Sequence, residues 1–522
     1  MKIRGTSFLV VAFAVVVGLP LAAQWPAERI DFDAVYRIKE EGLQRSKVME
    51  TESYLTDVYG PRLTGSPNIR EAADWAQKTL KTWGLANVHL ETWPFGRGWQ
   101  NQRFVAIAVT PRTYPLAGFP RAWTPGTHGP ITAAAVMAVI QTERDFEVWR
   151  GRLLGKFVLT TPMRPVPPRF EPLGRRFSDA ELSELARQPA TAGRGLRGTP
   201  PAGTFANQLE FVRKRTQFFV DEGVAALIEP STNGDGGTFF VQGAQGASRD
   251  PKAPPQPAQV VLSIEHYGRI ARTLEKQIPV TLQLDVDNKF YDEDLNGFNI
   301  VGDIPGSDKA DEVVMLGAHF DSWHAGTGAT DNAAGSAVMM EAMRILKTTG
   351  LKLRRTVRLG LWGGEEQGLL GSKAYVKDHF ADVTTMAVKP EHAKLSAYFN
   401  VDNGTGAIRG VYLQGNEAAA PIFQEWMEPF KNLGMTTLAI RSTGSTDHVS
   451  YDAVGLPGFQ FIQDPVEYDS RTHHSNQDVY ERIQPDDMMR NAVIVASFVY
   501  NAANRDDKLP RKPLPKPQQP TD

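Results

Sequence analysis

Apolar positions recur along this chain with two different periods, and the change of period divides it. Over 48–92 the pattern reads as two helices. In the second, Ile69, Ala73, Ala76 and Leu80 fall on one helical face. Ser66-Pro67 supplies an N-cap and a first-turn proline, and Gly84 a stop. From 115 to 277 the texture changes. Short apolar strands over 156–160, 225–228 and 260–264 alternate with loops rich in Pro and Gly, and one amphipathic helix, over 211–222, precedes the second strand. The stretch 188–203 reads as a loop. From 299 to 501 strands and helices alternate. The bare apolar run 313–316 is what a parallel strand covered on both faces requires. Ala334, Ala337, Val338, Ala342 and Ile345 place a helix over 332–347, and further strands are expected over 357–362, 395–401 and 459–462.

The predicted fold is therefore α/β: a mostly parallel mixed sheet sandwiched by helices, interrupted by a β-rich inserted module. The expected boundaries are a signal segment over 1–23, the first part of the main domain over 24–113, the insert over 114–283, the rest of the main domain over 284–505, and a proline-rich disordered tail over 506–522. Lys2 and Arg4, the apolar run 8–21 and Ala22-Ala23 have the layout of an export signal. A secreted or periplasmic location is expected, without stable membrane association once the signal is cleaved. The remaining chain has no apolar stretch long enough to span a bilayer.

Charge and composition narrow the chemistry. The formal net charge of the 522 residues is −2, with both signs mixed, which gives no basic face for nucleic acid. There is no cysteine. Disulfides, thiol catalysis and thiolate ligands are excluded together, so any metal must sit on histidine and carboxylate.

Such residues gather at predicted strand ends, where open α/β sheets place their ligands. His319 and Asp321 follow the 313–316 run, Glu365-Glu366 follow 357–362, Asp402 closes 395–401, and His473-His474 lie beyond 459–462. Asp331, on the loop after Gly-Thr-Gly-Ala-Thr, opens a helix and taken alone reads as an N-cap. His319 and Asp321 leave an extended segment on the same side, so the carboxylate can hold the imidazole's second nitrogen. Adjacent Glu365 and Glu366 point different ways, which lets one bind a metal while the other faces substrate. Together they form a His/carboxylate set of the kind zinc accepts. His324, close by, is expected to be a solvent-facing loop histidine.

With Gly60-Pro61-Arg62-Leu63-Thr64-Gly65-Ser66, His319-Phe320-Asp321-Ser322-Trp323, Leu361-Trp362 before Glu365-Glu366-Gln367-Gly368, and His473-His474-Ser475 before Asp478, the chain resembles the M28 family of zinc exopeptidases over roughly 51–501. The resemblance implies two zinc ions per chain: His319 and Asp402 on one, Glu366 and His474 on the other, and Asp331 bridging. It implies Glu365 as general base and Asp321 as the residue orienting His319. It places His473 where most relatives carry a tyrosine that steadies the oxyanion. The inserted module resembles a protease-associated domain. Peptide is the implied substrate, and a homodimer the implied assembly, although no stripe or heptad in the chain supports pairing independently. Asp447 matches an element near substrate, or is an N-cap. Arg441 and Arg471 are candidates for a substrate carboxylate. Dipeptidase and aminopeptidase readings share this metal centre. Two rival classes, a metal-free binding protein on the same scaffold and a one-zinc acyltransferase, differ from it in metal count.

Overall fold

In the computed structural model, which describes residues 28–190 and 204–517, the alternating pattern becomes an eight-stranded mixed sheet. Across the sheet its strands are Ala86–Pro94, Asn296–Ile304, Arg355–Trp362, Lys309–His319, Leu395–Asn400, Gly458–Gln463, Ile408–Tyr412 and Thr437–Ala439. The four central strands, from Arg355–Trp362 to Gly458–Gln463, run parallel. Period-two alternation sends neighbouring residues to opposite layers. Val314, Leu316 and Ala318 enter one core with helices Phe32–Gln44, Ala334–Thr348 and Pro485–Asn504. Met315, Trp362 and Tyr398 enter the other with Tyr375 and Tyr451, from helices Leu370–His379 and His448–Asp452. Both faces are covered, hence the unbroken apolar run at 313–316. Parallel strands end on one edge, and every candidate site loop leaves from it.

Ser66 accepts a hydrogen bond from Ile69 N–H and caps helix Pro67–Thr82, and Gly84 follows with φ +83°. The helical reading of 48–92 runs too far: Ala86–Pro94 is an edge strand, paired antiparallel with Asn296–Ile304. Its half-exposed face carries polar residues that helical periodicity does not exclude.

A second eight-stranded sheet forms the inserted module, with a parallel centre of Ile131–Met137, Phe157–Leu159, Ala226–Pro230 and Ala258–Leu262. Its long antiparallel pair, Gly98–Thr110 with Thr281–Tyr291, reaches past both ends of the 114–283 range. That pair carries the chain in and out of the module, so it has no turn signal at either expected boundary.

The expected disordered tail over 506–522 is corrected over its described part. Leu509 is buried, and the Arg511 guanidinium donates to the carbonyl of His392 at 2.8 Å and also bonds the Leu395 carbonyl. Prolines in this stretch stiffen an extended segment that docks along the domain. The signal segment 1–23 and most of the 188–203 loop lie outside the described residues. Among the described residues no helix is long and apolar enough to cross a membrane.

Candidate metal centre

His319 is the last residue of its strand, Glu365 and Glu366 lie just past Trp362, Asp402 just past Asn400, and His473-His474 follow a helical turn at Tyr468–Thr472. The structure brings them together. His319 Nε2 is 3.2 Å from Asp402 Oδ1 and 3.2 Å from Asp331 Oδ1. His474 Nε2 is 3.2 Å from Asp331 Oδ2 and 2.9 Å from Glu366 Oε2. Asp331 thus turns one oxygen to each histidine.

Asp331 does not cap its helix. It sits at φ −134°, ψ 86° in the turn Ala329–Ala333, and the neighbouring Asn332 instead accepts the Gly335 N–H at 2.9 Å at the start of the helix that follows. Asp478 holds this turn by accepting the backbone N–H groups of Thr330 at 2.6 Å and Asp331 at 3.2 Å. Tyr468 donates its hydroxyl to Asp331 Oδ1 at 3.0 Å and stacks on His473. His473 Nε2 is 3.7 Å from Asp331 Oδ2, and its side chain is 39 % exposed, the most open of the set.

The Asp321 expectation needs correcting in one respect. His319 Nδ1 is 2.9 Å from the backbone carbonyl of Asp321, while the carboxylate is 3.6 Å away. The carboxylate instead accepts Glu365 N–H at 3.1 Å and the Thr64 hydroxyl at 2.9 Å. Asp321 therefore orients His319 through its main chain and places Glu365 through its side chain. Arg62, fully buried, donates to the carbonyls of Leu55, Phe320, Thr327 and Gly328 at 2.7–3.0 Å. It ties the loop bearing Asp321 to the loop bearing Asp331. Arg62 and Thr64 lie in the Gly60–Ser66 stretch, which carried the family resemblance without a role for either. Tyr468 gave no signal, because its contact depends on a turn five residues before the histidines.

Burial raises Glu366 to about 8, helped by Asp331, against the pull of His474. Burial also lifts Glu365 well above the ordinary carboxylate range. Burial alone would lower both histidines. Asp402 and Glu365 nevertheless carry His319 well above its usual value, and Glu366 and Asp331 carry His474 to about 10. Carboxylates packed this closely demand positive charge, and in the protein alone protonated imidazoles meet that demand.

The donor set suits a metal. Two groups, His319/Asp331/Asp402 and Asp331/His473/His474, each have ligand atoms within 4.8 Å of one another, and they share Asp331. Asp331 Oδ2 and Glu366 Oε1 are buried without a hydrogen bond, although Asp331 Oδ2 lies within ion-pair distance of His474. Such orphaned oxygens are costly unless a cation meets them. Of the adjacent histidines, His474 alone reaches both Asp331 and Glu366.

Other expectations fare differently. His324 is buried, not solvent-facing. It bonds the Pro120 carbonyl at 2.8 Å and packs between Trp99, Phe119 and Trp323 where the two sheets meet, and burial lowers it to about 4. Asp447 caps nothing through its side chain; its carboxylate is buried beside Ser372, and burial raises it to about 7. Arg441 bonds Gln188 at 2.7 Å and Arg471 pairs with Glu467 at 3.2 Å.

The Peptidase family M28 model matches residues 299–499, the stretch that carries every proposed ligand. Carboxypeptidase Q of Mus musculus is 27 % identical over 485 residues, covering 92 % of this chain and 90 % of its own length. Aminopeptidase YwaD of Bacillus subtilis is 30 % identical over 217 residues, 40 % of this chain and 46 % of its own. Among solved structures, a peptidase M28 precursor from Shewanella amazonensis aligns with a TM-score of 0.65 at 23 % identity, covering 93 % of this chain and 98 % of its own. A zinc aminopeptidase from Bacillus subtilis aligns with a TM-score of 0.56 at 19 % identity, covering 88 % and 96 %. The site-bearing stretch 299–499 thus matches the model of peptidase family M28, and the chain is similar to carboxypeptidase Q along nearly its whole length.

Proposed function

We propose that the chain is an exported di-zinc exopeptidase hydrolysing dipeptides or short peptides. One observation carries the reading: the two oxygens of Asp331 face two separate histidine–carboxylate pairs, each at 3.2 Å from its histidine. His319 and Asp402 would hold one zinc, His474 and Glu366 the other, and Asp331 both. Paired zinc ions there would supply Lewis acidity to a scissile carbonyl and acidify water.

The chain's own residues account for the rest. Glu365, held by Asp321 through its backbone N–H, takes the proton of the attacking water and returns it to the leaving amine. His473, open to solvent beside Asp331, is placed to donate to the developing oxyanion. The inserted module, read as a protease-associated domain, sets Trp123 edge to face against Trp323, the ring that abuts His474.

A second reading is an aminopeptidase of the same family. It is favoured by the engagement of Arg441 and Arg471, the two cations considered for a terminal carboxylate, with Gln188 and Glu467. Hydrolysis of dipeptides blocked at the amino or at the carboxyl end separates the two. Glu365→Gln tests the base: zinc content is expected to persist while turnover falls by at least about a hundredfold. Near-native turnover in that variant would refute the assignment. Light scattering tests the expected pairing of two chains.

A further inference from the structure

The inserted module touches the metal centre directly. Val241 N–H donates to the His474 carbonyl at 3.1 Å, Asn476 N–H to the Phe239 carbonyl at 3.1 Å, and Phe239 N–H to Asn476 Oδ1 at 2.8 Å. Residues 239–241 thus run against 474–476 as a short antiparallel ladder, with Phe240 opposite Ser475. The next residue, Gln242, sets its side-chain amide 2.8 Å from His474 Nδ1. No other hydrogen bond of that amide is found among the described residues. Trp323 abuts the same imidazole edge-on, with ring centres 6.2 Å apart.

We infer that Gln242 is a positioning residue: the inserted module supplies the outer partner of His474, and so completes one of the two metal positions. The inference rests on the two-cation reading and deepens it. An imidazole that gives Nε2 to a cation keeps its proton on Nδ1, and that N–H needs an acceptor. A half-turn of the Gln242 amide presents Oε1 where Nε2 stands, with no change of shape and no competing bond to break. The two histidines then differ. His319 satisfies Nδ1 within its own loop, on the Asp321 carbonyl at 2.9 Å. His474 depends on a residue more than two hundred positions earlier, on a loop of the inserted module. The module therefore acts as part of the metal site, and loosening its contact should weaken one position selectively.

The test is zinc titration, against a chelating indicator, of the native chain, Gln242→Ala and Gln242→Glu, each stripped of metal. The native chain settles the premise, since fewer than two zinc ions there would remove the two-cation reading itself. With two bound, Gln242→Ala is expected to weaken one zinc about tenfold and leave the other unchanged, the low end of such effects because Gln242 is exposed. Gln242→Glu keeps an acceptor of the same reach and should hold both ions as the native chain does. Native affinities in Gln242→Ala would overturn the inference. So would equal losses in Ala and Glu, or equal weakening of both ions, since each marks Gln242 as filler and not as partner.

Discussion

The Asp321 carboxylate accepts the backbone N–H of Glu365 at 3.1 Å, across the loops of two adjacent parallel strands. The proposed base is thus fixed by a neighbour whose main-chain carbonyl, closer than its carboxylate, meets His319 Nδ1. Asp321→Ala leaves Glu365 N–H and the Thr64 hydroxyl unpaired. Turnover is expected to drop by about one to two orders of magnitude, as when outer partners of a site are lost, with a smaller change in zinc content. Steady-state kinetics with metal analysis of the same sample checks it; a loss confined to KM would contradict it.

Arg62 makes a different prediction. Four backbone carbonyls surround its buried guanidinium, and a lysine amine cannot reach them in the same fork. Arg62→Lys should cost about 3 kcal/mol, two hydrogen bonds to a charged group at the usual size. Zinc affinity should fall too, because Phe320 and Gly328 anchor the two ligand loops. Denaturant unfolding and zinc titration measure both; unchanged affinity would separate Arg62 from the site.

His324 gives a pH signature. Its folded pKa, about 4, lies below the ordinary value near 6.5, so between these the unfolded chain binds the extra proton. Stability is whole above pH 6.5 and is lost as pH falls toward 4, by up to about 3 kcal/mol from this residue. His324→Gln keeps a donor for the Pro120 carbonyl and removes the titration. Its unfolding free energy should change less than the native chain's over that window; equal slopes would contradict the assignment.

Much of this was readable in the sequence, and the reason is physical. Parallel strands buried on both faces leave bare apolar runs, and 313–316 announces itself that way, with 357–362 and 395–401 legible as further strands. Because those strands end on one edge, residues distant in sequence, such as His319 and His474, can be assigned to one place from strand ends alone. What was hidden depends on contacts between loops. Little that is local distinguishes the buried His324 from an exposed loop histidine, since two of the rings around it, Trp99 and Phe119, come from the other sheet. Gln242 and Tyr468 became visible only once the chain was folded onto itself. The segment after Lys508 reads as disordered by composition, yet Leu509 and Arg511 hold it, because a few well-placed contacts outweigh a proline-rich average.

The most direct measurement is the zinc content of the native chain after saturation and removal of excess metal, set beside that of Asp331→Ala. Two zinc ions per native chain are predicted, with fewer than two retained when the residue shared between His319 and His474 loses its carboxylate. One zinc or none on the native chain, or two still held by Asp331→Ala, would contradict a pair of cations joined at Asp331.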